Sequence, residues 1–324
     1  MFVVKPPARI IAGALALTMI CSMPVQASDK KVLITAIVDH PALDAIRDGT
    51  SDELKAEGFE AGKNLKWEYQ NAQGNPGTAA QIARKFVGEN PDVIVAIATP
   101  SAQPLVAATK TIPIVFSGIA DPIAAQLVKN WAPSGTNVTG MSHMMDLTRQ
   151  IEIIKKVLPH VKRIGIVYNP GEVNSVVVVK NIKLLLEKEG ITLVEAAAPR
   201  SVDVSSAARS LVGKVDLIYS TTDNNVVATY EALVKVCNDA KIPLVASDTD
   251  SVRRGAIAAL GVNFYDLGRQ TGKMVGRILR GEKPGDIAPA KSDNLDLFVN
   301  TAAAHKQGLT LSPAFIKSAT TVIN

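Results

Sequence analysis

Cysteine is almost missing from the 324 residues: Cys21 and Cys237 are the whole complement. A disulfide-stapled scaffold is excluded, so stability must come from a buried core. Cys237 lies in the helical pattern Ala232-Leu233-Val234-x-Val236-Cys237 and reads as a small hydrophobe rather than a nucleophile. Aromatics make up 4% of the chain, too few for a nucleic-acid surface built on stacked rings. The four histidines, at 40, 143, 160 and 305, stand apart from one another, and no Cys/His spacing marks a metal site. Neither a Gly-x-Ser-x-Gly elbow nor a nucleophile with its base is present, which argues against an enzyme. The fragment Ser292-Asp293-Asn294 lacks the companion motifs that would make it catalytic. Gly268-Arg269-Gln270-Thr271-Gly272-Lys273 is one residue short of a phosphate loop and sits in a helical pattern. Charge is nearly balanced, with 35 Lys+Arg against 30 Asp+Glu. An excess of five does not point to a polyanion.

What is present is a globular chain, 47% apolar, long enough for two domains. Residues 1–27 have the form of a secretory signal: Lys5 and Arg9 are followed by an apolar stretch at 10–23, then Val25-Gln26-Ala27 before Ser28. That stretch is shorter than the ~20 residues that cross a bilayer. Cleavage near Ala27/Ser28 into the periplasm is favoured over lipid attachment at Cys21, which follows the bulky Ile20. Loss of Lys5 and Arg9 removes two of the five excess positive charges.

From Lys30, short Val/Ile-rich runs alternate with helix-period segments, as in βαβ units around parallel sheets. Strands are expected at 32–38, 65–69, 93–98 and 114–116, and again at 164–168, 192–196, 217–220 and 244–246. Helices are expected at 43–57, 78–87, 173–189, 204–212 and 226–240. The two series match in order. Pro91-Asp92-Val93-Ile94-Val95, Thr99-Pro100-Ser101 and Ile112-Pro113-Ile114-Val115-Phe116-Ser117 answer to Val215-Asp216-Leu217-Ile218-Tyr219, Thr221-Thr222-Asp223 and Ile242-Pro243-Leu244-Val245-Ala246-Ser247. The expected fold is therefore α/β, with two similar doubly wound parallel-sheet lobes. A leftover strand, helix and strand after the second series imply three crossings, near 137–143, 256–261 and 295–299. They make a three-segment hinge beside a cleft. Lobe I should comprise 28–140 plus 257–284, and lobe II 141–256 plus 285–324.

In such sheets ligands bind beyond the carboxyl ends of the strands. The residues found there are small and polar: Thr99, Ser101, Gln103, Ser117 and Asp121 in the first half, and Asn169, Glu172, Asn174, Ser175, Thr222, Asp223 and Asp248 in the second. Some polar residues near helix starts, such as Thr78 and Asp203, need do no more than cap helices. Hydroxyls and helix N-termini suit a carboxylate, whereas Asp121, Glu172, Asp223 and Asp248 suit an ammonium group. A zwitterion fits both sets. His40 and His143 flank the cleft and the hinge.

These features, with Ala98-Thr99-Pro100-Ser101-Ala102-Gln103, Phe116-Ser117-Gly118-Ile119-Ala120-Asp121-Pro122, Asn137-Val138-Thr139-Gly140, Tyr168-Asn169-Pro170-Gly171-Glu172-x-Asn174-Ser175 and the 255–268 segment, give a chain that resembles the ABC transporter substrate-binding proteins. Broadly it resembles the type I periplasmic binding proteins, and more narrowly the ABC transporter substrate-binding family that includes tryptophan- and tyrosine-binding members. The resemblance implies a monomeric receptor without cofactor or metal. It would bind an amino acid or related small solute by hinge closure and partner an ABC permease in the inner membrane, not nucleic acid. It also implies that the twelve polar residues above approach the ligand, and that Phe116 and Tyr168 line a side-chain pocket. A sensor module that binds a sugar or an aromatic acid is the alternative. An exported hydrolase lacks its catalytic pair, and a transcription regulator of this fold would carry a helix-turn-helix where the export signal stands.

Overall fold

Parallel strands covered on both faces need apolar side chains at nearly every position, and the Val/Ile runs form strands of that kind. The computed structural model describes residues 1–4, 29–292 and 294–324. Most of the expected signal segment, with Cys21 and its cleavage site, and Asp293 of the Ser-Asp-Asn fragment lie outside the described residues. No helix among the described residues is long and apolar enough to cross a membrane.

The first lobe runs β1 (Lys30–Ala36), α1 (Pro41–Ala56), β2 (Leu65–Asn71), α2 (Pro76–Gly88), β3 (Val93–Ile97), α3 (Thr99–Ala108), β4 (Ile114–Ile119) and β5 (Val138–Ser142). The second runs α4 (Leu147–Val157), β6 (Arg163–Tyr168), α5 (Val173–Lys188), β7 (Thr192–Ala197), α6 (Val204–Ser210), β8 (Leu217–Ser220), α7 (Asn224–Ala228), α8 (Tyr230–Ala240), β9 (Leu244–Ala246), α9 (Thr249–Arg253) and β10 (Ala258–Val262). The chain then returns to the first lobe with α10 (Phe264–Leu279) and β11 (Ala290–Lys291). It ends in the second with β12 (Leu295–Asn300), α11 (Thr301–Lys306), α12 (Pro313–Lys317) and β13 (Thr321–Ile323). The first sheet is ordered β11-β5-β4-β3-β1-β2 and the second β13-β12-β10-β9-β8-β6-β7. The pairs are parallel, apart from the antiparallel junction of β10 with β12.

There are three crossings, displaced from the expected positions. Residues 138–142 pair with β4 in the first sheet, while 258–262 and 295–299 pair with each other in the second. The chain passes between lobes just after these strands or just before them: after Ser142, at Asn263, and between Lys291 and Leu295. Residues 257–262 therefore belong to lobe II rather than lobe I, and 141–142 and 285–291 to lobe I rather than lobe II. An apolar run marks a strand buried in its sheet, not the link that leaves it. The helix expected at 226–240 is broken at Thr229, whose backbone leaves helical geometry (φ −125°, ψ 38°).

α10 closes lobe I by lying against α1. A Cβ on Gly268 would stand 2.3 Å from the Ile46 carbonyl oxygen, and one on Gly272 would stand 2.9 Å from that of Thr50. The glycines of the would-be phosphate loop thus permit close helix contact. Thr50 Oγ1 completes the joint by donating to the carbonyls of Ile46 and Gly268 at 2.7 and 3.1 Å.

Candidate functional site

The carboxyl ends of both sheets face one another across a narrow cavity. Lobe I supplies His40, Ala42, Leu43, Ala98, Thr99, Gly118 and His143, with Phe264 from the start of α10. Lobe II supplies Asn174, Thr222, Asn224, Val227 and Asp248. An outer opening of about 420 Å³ lies between Pro100, Gln103 and Pro104 on one side and Asn169, Glu172 and Val173 on the other.

On the lobe I wall, α3 begins without a side-chain cap. Its N-cap residue is Ala98, at φ 70° and ψ 153°. That conformation costs an L-residue about 1–3 kcal/mol, and the Ala98 N–H is held to the Ser117 carbonyl at 3.0 Å. The next turn buries the Thr99 and Ser101 hydroxyls with no hydrogen-bond partner in the protein. Each such orphan costs about 1–3 kcal/mol. Hydroxyls at the positive end of a helix are suited to an anionic oxygen.

The lobe II wall is acidic. Asp223 caps α7, accepting from the Asn225 and Val226 N–H groups at 3.1 Å each, and its other oxygen accepts from Asn169 N at 2.7 Å and Ser175 Oγ at 2.6 Å. Glu172 accepts from Asn224 Nδ2 at 2.6 Å and Asn174 Nδ2 at 3.0 Å. The Asn174 side-chain oxygen, Oδ1, is buried and unpartnered. Burial, then the charge of Asp223, pushes Glu172 up to about 7. Burial likewise raises Asp223, and raises Asp248 to about 6. Asp248 caps α9 through Ser251 N and Ser251 Oγ at 2.8 and 2.7 Å. Among the described residues lining the cavity there is no lysine or arginine. A cationic group entering here would restore the charged forms.

Of the twelve residues expected from sequence, Thr99, Asn174, Thr222 and Asp248 line the cavity. Ser101 is buried one turn into α3, while Glu172, Asp223, Asn169 and Ser175 form the hydrogen-bonded layer behind and beside the wall. Three have other roles. Ser117 Oγ bonds Thr271 Oγ1 at 2.7 Å and ties β4 to α10. Gln103 Nε2 donates to the Ala125 carbonyl and faces the outer opening. Asp121 turns the chain by accepting from Ile123 N and Ala124 N. Phe116 is fully buried in the lobe I core, and Tyr168 packs against a lobe II cluster and bonds Glu195, so neither lines the cavity. Helix capping also falls on other residues than expected: Asn75, not Thr78, caps α2, and Asp203 makes no side-chain cap to α6.

Sequence reasoning missed the apolar lining of Ala42, Leu43, Val227 and Phe264, which carries no pattern beyond ordinary helix starts. His40 and His143 both line the cavity. Burial, then Arg254, lowers His40 to about 3, and burial lowers His143 to about 4, so both rings are neutral near pH 7. His143 and Phe264 stand with ring centroids 5.5 Å apart.

A tyrosine-binding protein of Clostridioides difficile is 38% identical over 271 residues, covering 84% of this chain and 79% of its own length. A Streptococcus pneumonia ABC domain solved in complex with L-Trp is 34% identical, with a TM-score of 0.87 over 91% of this chain and all of that one. A ligand-free, open substrate-binding protein from Clostridium difficile is 39% identical over 91% of this chain and 99% of that one, yet its TM-score is 0.68. The model of the ABC transporter substrate binding protein family matches residues 31–323, the two lobes and their crossings together, and the chain belongs to that family.

Proposed function

We propose that the chain captures an aromatic amino acid of the tyrosine or tryptophan kind between its lobes and delivers it to the permease of an ABC importer. The family's role is to bind substrate for such transporters rather than to catalyse. The observation that carries the reading is the pairing of two walls: buried, unpartnered hydroxyls of Thr99 and Ser101 on lobe I, and the buried carboxyls of Glu172, Asp223 and Asp248 on lobe II. The carboxylate of the ligand lies toward α3 and its ammonium toward the acids, while the side chain packs among Leu43, Val227 and Phe264. The relatives named for tyrosine and solved with L-Trp support that ligand class. The higher TM-score to the L-Trp complex than to the open relative, against the order of identity, supports a closed arrangement here. Residues 1–27 act as the export signal, and the mature protein works in the periplasm as a monomer.

The test is a thermal-shift series with L-tyrosine, L-tryptophan, L-phenylalanine and glucose. Ligand at about 100 times its Kd stabilises by ~2.7 kcal/mol, which moves the Tm of a chain this size by roughly 4 °C. Shifts with the aromatic amino acids and none with glucose are expected. A shift with glucose alone overturns the reading.

A further inference from the structure

One ring in the cavity lining is held firmly and yet has a polar atom left over. His143 stands just beyond β5, its backbone N–H donating to the Ile119 carbonyl at 3.0 Å, and is 5% exposed. Nε2 lies 3.0 Å from Thr222 Oγ1 on the lobe II wall, and the ring stands against Phe264 with its plane tilted by 60°. Backbone, Thr222 and Phe264 together fix the imidazole. Its other nitrogen, Nδ1, is buried with no hydrogen-bond partner among the described residues. The Gly118 carbonyl lies near the ring, in the same lining, without completing a bond to Nδ1. A neutral imidazole has one donor and one acceptor, so pairing one nitrogen leaves the other buried and unsatisfied. The second histidine of the lining differs. His40 Nδ1 accepts from Leu43 N at 3.5 Å and so serves the start of α1.

We propose that His143 selects the side chain of the ligand, hydrogen-bonding a polar atom on its aromatic ring through Nδ1, so that the cleft prefers L-tyrosine to L-phenylalanine. This rests on the aromatic amino acid proposed above, whose side chain packs among Leu43, Val227 and Phe264. A phenol hydroxyl both donates and accepts, and it pairs with Nδ1 whichever nitrogen carries the ring proton. If the Thr222 hydroxyl donates to Nε2, the Nδ1–H donates to the phenol oxygen. If Nε2–H donates to Thr222, Nδ1 accepts the phenol proton. An indole N–H only donates, and answers the second tautomer alone. A phenyl ring answers neither and leaves Nδ1 unsatisfied. Sites that hydrogen-bond a substrate hydroxyl reject the analogue lacking it far more strongly than an apolar pocket rejects a missing methylene.

Isothermal titration calorimetry with L-tyrosine, L-phenylalanine and L-tryptophan reads this selection as a ratio of Kd values. In the wild type, L-phenylalanine is expected to bind at least about tenfold more weakly than L-tyrosine. His143→Gln puts an amide near the place of Nε2, within reach of Thr222, and deletes Nδ1. There the ratio is expected to fall below about threefold, mainly through weaker L-tyrosine binding. His143→Asn puts its amide near the place of Nδ1 and gives up Thr222, and the ratio is expected to stay above about fivefold. A general loss of folding or closure weakens both amino acids together and leaves the ratio unchanged. Equal affinities for L-tyrosine and L-phenylalanine in the wild type, or an undiminished ratio in His143→Gln, overturn the role of His143 and leave the ligand class standing. If none of the three amino acids binds, the ligand class falls and the selection by His143 falls with it.

Discussion

The start of α3 and the start of α7 occupy the same place in the two repeated halves, yet their chemistry is opposite. After β3 the helix opens on Ala98, with positive φ and no cap, and leaves Thr99 and Ser101 hydroxyls unpartnered. After β8 the equivalent turn opens on Asp223, whose carboxylate fills the helix end and accepts four hydrogen bonds. One half offers donors to an anion; the other has installed its own anion and offers negative charge to a cation. A duplicated lobe thus gains a polarity across its cleft from the residue that begins one helix.

The sharpest way to break this asymmetry is Asp223→Ala. It strands the N–H groups of Asn169, Asn225 and Val226 and the Ser175 hydroxyl, so a stability loss of about 2–4 kcal/mol is expected in urea unfolding, along with loss of ligand binding. Asp223→Asn should recover part of the stability and little of the affinity. A loss below about 1 kcal/mol for the alanine variant would show that the cap is dispensable.

Glu172→Gln comes next. Folding raises this carboxyl from 4.5 to about 7, so the folded chain holds a proton that the unfolded chain releases, and stability falls as pH rises through that window. The ligand-free variant should lack this fall and be more stable than wild type near pH 7.5 by roughly 2 kcal/mol. Parallel stability-pH curves for the two proteins would remove Glu172 from the charge balance.

The smallest effect belongs to the lobe I wall. Ser101→Ala deletes a hydroxyl that has no protein partner, so the ligand-free Tm should hold within about 1 °C or rise, while affinity weakens about tenfold in calorimetry. Asp121→Ala, which touches only its own turn, should change affinity less than about twofold. Equal losses from both variants would erase the distinction between the cleft and its rim.

The parallel strands were legible because residues such as Val93, Ile94 and Val95 are covered on both faces, which writes burial into the sequence as an unbroken apolar run. The acids were legible because Asp223 and Asp248 stand two or three residues beyond strand ends. Their double role was not: a capping aspartate and a ligand-facing aspartate look alike in sequence, and only burial and hydrogen-bond partners separate Asp121 from Asp223. The hinge was misplaced by a few residues because links such as Asn263 need only extended backbone and leave no periodic trace. The antiparallel turn of β12 onto β10 depends on a partner distant in sequence, and no local pattern announces it.

The joint between α1 and α10 bears on the order of folding. Thr50 and Gly268, which meet there, are 218 residues apart. Lobe I cannot bury Leu267 and Val275 until almost the whole chain has left the ribosome, and lobe II awaits β12 and β13 for the same reason. Contacts so distant in sequence make folding slow and late. A nascent chain of this topology stays unfinished for nearly the full length of its synthesis, as the export proposed above would require.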